Sequence, residues 1–397
     1  MNTKKISINY PLAGGSWDEK EVDAIKSVVD SGMHSMGKNV KKYEEEFADW
    51  MGSEYALMVN SGSSANLIGF FATKFHSKNE NNTKKKIIVP SVSWSTTYFP
   101  INQAGYELVF VDVDEDTLNI NIEQVKKIIH ETNDIFAVCA VNLLGNPCEL
   151  IKLKSICDQN DVFLIEDNCE SFGAMLDGKK TGTFGEFGSF SFFFSHHLCT
   201  MEGGMLVTDD EELYHIALAL RAHGWIREVP NEKYLSIDCS DFEKKFRFLL
   251  PGFNVRPIEM EGAIGSIQLK KADGFIDIRR ENAEIFKDYV EDLGDCKYQK
   301  ENGYCTWFGH SILFSEDFKE RDNLANYLMD HGIETRPILA GNFLNNPVLK
   351  HLNYSTPLNN YPISEKIDKH GLFFGSHNKS LKKEFDITFD LIKEFLN

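Results

Sequence analysis

Residues 54–66 read EYALMVNSGSSAN, and residues 67–75 continue as LIGFFATKF. The first run has the residue types of a short buried strand, and the last is an apolar helical run. Between them Asn60–Asn66 (NSGSSAN) supplies a turn. A strand that passes through a Gly-Ser turn into a helix is half of a βα unit. Gly62 permits the tight turn, and Ser63 and its neighbours then place hydroxyls and backbone N–H groups at a helix N-terminus. Hydrogen bonding and the helix dipole both suit a phosphate there. Ser-Gly-Ser is also ordinary capping chemistry, so these residues alone leave both readings open.

Outward from this unit the pattern repeats. Strand-like runs stand at residues 84–91 (KKKIIVPS), 106–114 (YELVFVDVD), 135–145 (IFAVCAVNLLG), 162–168 (VFLIEDN) and 204–210 (GMLVTDD). Amphipathic helical stretches at 121–132 and 149–159 separate several of them. That alternation predicts an α/β fold with a mostly parallel, buried sheet. The polar stretch at 230–240 reads as a surface excursion. A long helical stretch over 258–293 precedes a strand-like run at 306–314 and a helix over 318–331, as in a smaller α+β domain. The expected division is a large domain over residues 1–255, then a linking helix and small C-terminal domain over residues 256–397.

Composition narrows the function. The 397 residues carry 42 Lys+Arg against 60 Asp+Glu, a formal charge of −18, with 42% hydrophobic and 12% aromatic residues. The chain has ample material for a core, and no nucleic-acid partner is expected, since such proteins show a basic patch. A few placed arginines would still make a locally positive pocket for an anionic small molecule. The opening MNTKKISINYPLAGG has two lysines without an apolar stretch behind them, so no secretion signal is expected. Apolar runs fall far short of the ~20 residues needed to cross a bilayer, which predicts a cytoplasmic protein with no membrane partner. Cys139, Cys148, Cys157, Cys169, Cys199, Cys239, Cys296 and Cys305 include no C-x-C or C-x-x-C pair, so neither a disulfide framework nor a metal or cluster site is expected.

Asp167 closes the apolar strand VFLIED, and a carboxylate at that end faces the crevice where open α/β sheets bind ligands. Glu170 follows within one turn. Further on, GSFSFFFSHHLCTMEGGMLVTDD (residues 188–210) runs through Ser191 and the pair His196–His197 to Glu202-Gly203-Gly204. Adjacent histidines point in different directions, so only one of them can serve a given site.

Taken in order, these features resemble the fold-type I pyridoxal-phosphate enzymes, specifically the sugar-aminotransferase family that acts on nucleotide-linked keto sugars. The likeness extends over INYPLAGGSW (8–17), VPSVSWSTTYFP (89–100), VNLLGNP (141–147), EDNCESFGA (166–174), RAHGW (221–225), LPGFNVRPIEMEGAIG (250–265) and GIETRPI (332–338). It implies an aspartate-aminotransferase-like fold. One position departs from the aminotransferases. Where they carry the lysine that forms the internal Schiff base, five residues after the phosphate-binding Ser191, this chain has His196. Histidine forms no stable Schiff base but can move a proton, so the cofactor is free to persist as pyridoxamine phosphate.

In the context SHHLCTMEGG this looks like the sugar 3-dehydratases of the same family, enzymes of deoxysugar biosynthesis. A related branch holds an iron–sulfur cluster on four cysteines, two of them in C-x-C. Lacking that pair, this chain resembles the cluster-free branch, whose electrons come from the cofactor itself. The resemblance implies a GDP-linked 4-keto-6-deoxy sugar that loses its C3 hydroxyl, with L-glutamate as amino donor. It implies His196 as acid/base, Asp167 at the pyridinium nitrogen, Glu170 near the ring hydroxyl and Trp94 stacked on the ring. Gly62, Ser63 and Ser191 hold the phosphate, with Asn254 reaching in from the other subunit of a homodimer. Gly32, Met33, His34, Ser35, Arg227, Arg256 and Glu334 belong to the sugar-nucleotide site, and His223 helps hold the glutamate or sugar. His197 takes a structural role. Simple aminotransfer and a non-catalytic binding protein that kept the fold are the alternatives.

Overall fold

The computed structural model describes residues 8–230 and 233–397. Its strands are β1 (Tyr55–Val59), β2 (Lys86–Pro90), β3 (Glu107–Val111), β4 (Ile135–Val141), β5 (Phe163–Asp167), β6 (Met175–Leu176), β7 (Lys179–Lys180), β8 (Phe187–Ser191), β9 (Gly204–Thr208), β10 (Cys296–Lys297), β11 (Gly309–Phe314), β12 (Thr335–Arg336), β13 (Tyr354–Ser355) and β14 (Gly371–Gly375). The main sheet has eight strands in the order β1-β9-β8-β5-β4-β2-β3-β13. All its pairings are parallel except those of β9, which runs antiparallel to both β1 and β8.

The missing helix, rather than length, marks the exception. A parallel return needs a crossover of a dozen or more residues, usually a helix. The twelve residues 192–203 join β8 to β9 at the lower limit of that length and form no α-helix to carry the chain across, and the chain doubles back. That doubled-back loop carries His196.

Helices cover both faces of the sheet, which is why β4 is buried along its whole length and reads as an unbroken apolar run. Helices Gly62–Phe75, Ser95–Gln103 and Glu211–Arg221 pack Ile68, Tyr98 and Ile216 over Leu57, Ile87 and Phe110. On the opposite face, helices Ile122–Glu131 and Leu150–Gln159 set Val125, Ile128 and Leu153 against Ile88, Val109 and Val138. Helix starts follow local chemistry: Asn121 accepts from the Gln124 N–H and Asp210 from the Leu213 N–H, each meeting a donor the first turn leaves unpaired.

The stretch expected as one helix over 258–293 is two, Glu259–Leu269 and Ala272–Leu293. The halves have different partners. The first packs on helices Glu19–Ser31 and Lys38–Met51, the second on helix Lys382–Leu396 and the small sheet. At the corner Lys271 is drawn aside by Glu21 (2.6 Å) and Asp18 (3.0 Å).

The small sheet is antiparallel, β10-β11-β14-β12. Tyr354 and Ser355, although late in the chain, leave it to pair in parallel with Leu108 and Val109 of β3. Within the expected surface excursion, residues 231–232 lie outside the described residues. Beyond them Lys233 pairs with Glu211 at 2.8 Å, and Phe242 and Phe246 are exposed. The eight cysteines are all free. No helix among the described residues is long and apolar enough to cross a membrane.

Candidate active site

β1 runs out at Val59, β5 ends on Asp167 and β8 on Ser191, all pointing the same way. A cavity of about 420 Å³ opens where they end. Gly62, Ser63, Trp94, Asp167, Glu170, Ser191 and His196 all line it.

At one end helix Gly62–Phe75 presents its N-terminus. Ser61 Oγ accepts from the Ser64 N–H at 3.1 Å, and Ser63 Oγ donates to Thr96 Oγ1 at 2.9 Å. The N–H groups of Gly62 and Ser63 belong to the first turn, where no intrahelical acceptor exists. A Cβ on Gly62 would stand 2.6 Å from Ser191 Cβ and 2.8 Å from Cys169 Sγ. A Cβ on Gly204 would stand 2.3 Å from the Ser61 carbonyl. Only glycines let the turn, β8 and β9 close on each other, and the result is a cradle fitted to a phosphate.

Asp167 forms the floor, 5% exposed. Its Oδ2 accepts from Thr97 Oγ1 (2.7 Å) and Asn66 Nδ2 (2.9 Å), and its Oδ1 from the Cys169 N–H (3.1 Å). Ser189 Oγ donates to Asn66 Oδ1 at 2.7 Å and holds that amide in turn. A carboxylate fixed this way suits a protonated pyridine nitrogen, so the residues present fit pyridoxal phosphate at both ends. Thr97 and Asn66 went unnamed in the sequence reading, although both lie inside quoted motifs. Trp94, 52% exposed, stands at the mouth as the residue before helix Ser95–Gln103.

Burial pushes the Glu170 carboxyl up to about 7, against the pull of the Arg336 guanidinium and the Leu144 N–H at 3.1 Å. The folded chain therefore favours the protonated form. That contribution to stability is complete below the ordinary carboxylate range and is lost as pH rises through about 7. The thermal midpoint of cofactor-free protein should fall more between about pH 5 and 8 in wild type than in Glu170→Gln. Parallel midpoints in the two proteins would remove Glu170 as the cause.

His196 projects from the doubled-back loop. Its ring lies 5.0 Å from that of Phe308 at 59° and 6.2 Å from that of Phe193 at 78°. Burial, with the charges of Arg279 and Arg336, pushes the imidazole down to about 3, so at neutral pH it is an unprotonated base. His197 turns the other way: it is 1% exposed and its Nε2 donates to the Thr306 carbonyl at 3.0 Å.

Arg336 also lines the cavity and was not singled out, although it sits in the quoted GIETRPI. Its guanidinium lies over the Phe373 ring at 4.3 Å. Among the described residues it has no hydrogen bond or ion pair, and its Nε is buried without a partner.

The remaining expected residues lie outside the cavity. Gly32, Met33, His34 and Ser35 are exposed and tied to the 254–259 segment: the Glu259 N–H donates to the His34 carbonyl, and Ser35 bridges to Ile258. Arg256 Nε donates to Asn254 Oδ1 at 3.1 Å, and the His223 N–H to the Phe253 carbonyl at 2.6 Å. These residues make one patch. Arg227 and Glu334 are exposed apart from it; the Glu334 carboxylate accepts from the Leu12 N–H at 2.9 Å. Among the described residues no three His, Cys, Asp or Glu side chains stand together as metal ligands.

Similarity to known proteins agrees with this geometry. GDP-4-keto-6-deoxy-D-mannose 3-dehydratase of Yersinia pseudotuberculosis is 48% identical over 397 residues, 98% of this chain and 100% of that protein. The structure of E. coli GDP-4-keto-6-deoxy-D-mannose-3-dehydratase with bound hydrated PLP superposes with a TM-score of 0.92 at 49% identity, covering 97% of this chain and 99% of that one. A GDP-4-keto-6-deoxymannose-3-dehydratase with a trapped PLP-glutamate geminal diamine gives 0.92 at 48% identity, over 96% and 100% of the two chains. Residues 16–387 match the DegT/DnrJ/EryC1/StrS aminotransferase family. With its cradle, its strand-end carboxylate and a match over nearly its whole length, the chain belongs to the DegT/DnrJ/EryC1/StrS aminotransferase family.

Proposed function

We propose that this protein is a pyridoxal-phosphate-dependent dehydratase that removes the C3 hydroxyl of GDP-4-keto-6-deoxy-D-mannose to give the 3,6-dideoxy-4-keto sugar, with L-glutamate returning the cofactor to its amine form. One observation carries the reading: a neutral histidine faces the cavity from the loop position at which the family's aminotransferases carry lysine. The bound cofactor supplies the electron sink and the electrons for deoxygenation.

The chain's residues do the rest. His196 takes the proton at the cofactor's C4′ carbon and delivers one to the departing hydroxyl. Asp167 keeps the ring nitrogen protonated, Glu170 meets the ring hydroxyl, and Trp94 covers the ring face. Gly62, Ser63 and Ser191 fix the phosphate, so the ring cannot slide while it is covalently unanchored. Arg336, whose guanidinium has no hydrogen bond or ion pair among the described residues, receives a carboxylate of the glutamate. The protein acts as a cytoplasmic homodimer in which the patch of Gly32–Ser35, His223, Asn254 and Arg256 faces the cavity of the second copy. With Arg227 and Glu334 the patch binds the sugar nucleotide there, while Asn254 reaches the phosphate. No iron–sulfur cluster takes part.

An absorbance spectrum tests this directly. L-glutamate should bleach the long-wavelength band of the aldehyde form, the GDP sugar should restore it, and mass spectrometry should find a deoxygenated sugar. An aminated sugar instead would make the protein an aminotransferase. A spectrum indifferent to both compounds would overturn the catalytic reading.

A further inference from the structure

Arg279, in helix Ala272–Leu293, is 3% exposed, and among the described residues no carboxylate stands within ion-pairing distance. A buried charge without a counter-ion is expensive, so what it touches matters. Its Nη1 donates to the Trp307 carbonyl (3.2 Å) and the Phe308 carbonyl (3.1 Å), and its Nε to Asn378 Oδ1 (2.8 Å).

Trp307 has a φ of +48°, a conformation bulky residues rarely adopt and which must be held by its surroundings. It is held from both sides. The flanking Thr306 and Phe308 N–H groups donate to the Gly145 (3.0 Å) and Leu144 (2.9 Å) carbonyls, and Arg279 takes two carbonyls. The Phe308 ring then forms the cavity wall beside the His196 imidazole, and the Thr306 carbonyl receives His197.

We infer that Arg279 is a positioning residue for His196: its guanidinium clamps the Trp307–Phe308 turn and thereby sets the aromatic wall that orients the imidazole. This rests on the proposed role of His196 as proton carrier. The same guanidinium is a fixed positive charge that, with burial and Arg336, keeps the imidazole unprotonated. The other ionisable groups around the cavity are Asp167, Cys169, Glu170 and Glu202 on its walls and His197 next in the chain.

The test uses holoenzyme and three variants, reading the rate of the sugar-dependent spectral change across pH, cofactor occupancy, and the His196 imidazole titration by NMR. Arg279→Met should bind cofactor and slow the step about 10²-fold, the scale of a small misplacement. It should also shift the acidic limb of the profile to higher pH, because a positive charge is gone. Arg279→Lys keeps the charge but cannot span both carbonyls and Asn378, so it should slow the step with the limb in place. Phe308→Leu should do the same.

A stability loss in Arg279→Met with rate and pH profile unchanged would make the residue merely structural and overturn the inference. If that variant does not fold, wild-type rates in Arg279→Lys and Phe308→Leu would overturn it equally. Failure of the dehydratase reading looks different: wild type itself then gives no sugar-dependent change. The clamp is still decided in that case by the same NMR spectra: the His196 ring resonances should move in Arg279→Lys, which keeps the charge and loses the clamp, and unchanged resonances there would overturn the inference.

Discussion

Replacing His196 with Asn should leave cofactor and sugar nucleotide bound while slowing C3 deoxygenation about 10²–10⁴-fold, the usual worth of a positioned acid–base. Binding survives because the Gly62–Ser63 turn, Ser191 and Asp167 make their contacts independently of the imidazole. Chemistry fails because no other neutral base among the described residues occupies that wall; His197 points into the core at Thr306. His197→Asn should accordingly keep the chemistry and lose stability. His196→Lys should create a borohydride-reducible bond to the cofactor, since an amine then replaces the imidazole, and should dehydrate poorly. Normal dehydration in His196→Asn with loss in His197→Asn would reverse the roles of the two histidines. Full activity in both would remove the mechanism.

Asp167→Asn should retain cofactor and lose about 10²–10³-fold in turnover, comparable to deleting one preorganised electrostatic partner. The phosphate cradle is untouched, so occupancy read from absorbance stays near wild type. The amide cannot hold a proton on the pyridine nitrogen, and without it the ring is a poor electron acceptor. Thr97, Asn66 and the Cys169 N–H donate to the carboxylate, so the substitution also places a further donor among donors. Wild-type turnover in this variant would take Asp167 out of the site.

Much of this was legible in the chain itself. The apolar runs became strands because helices bury both faces of the sheet, and Asp167, Ser191 and Gly62 converged because each ends or follows a strand pointing one way. Local sequence could not show where a strand runs. GMLVTDD reads like the parallel strands, and only the helix-free connection before it marks β9 as antiparallel. The corner at Lys271 depends on Asp18 and Glu21, some 250 positions away. Arg279 and Arg336 were silent for the same reason: each is an ordinary surface-type residue until the C-terminal half folds over the His196 loop. The residues of Gly32–Ser35, His223, Asn254 and Arg256 lie outside the cavity, and local sequence held no sign of that, since each sits in a motif as well matched as those that line it.

The pairing of Tyr354 and Ser355 with β3 bears on how the chain is made. Until those residues leave the ribosome, β3 has no neighbour on its outer side, and an unpaired border strand invites other chains to add to it. Ile363 and Ser364 donate their N–H groups to Asp112, and Tyr361 its hydroxyl to the Phe110 carbonyl, so this late segment seals the border with side chains as well. Contacts between residues so distant in sequence form slowly. Synthesis therefore passes through a long aggregation-prone stage, and a fragment ending before Tyr354 would be sticky however complete its catalytic groups.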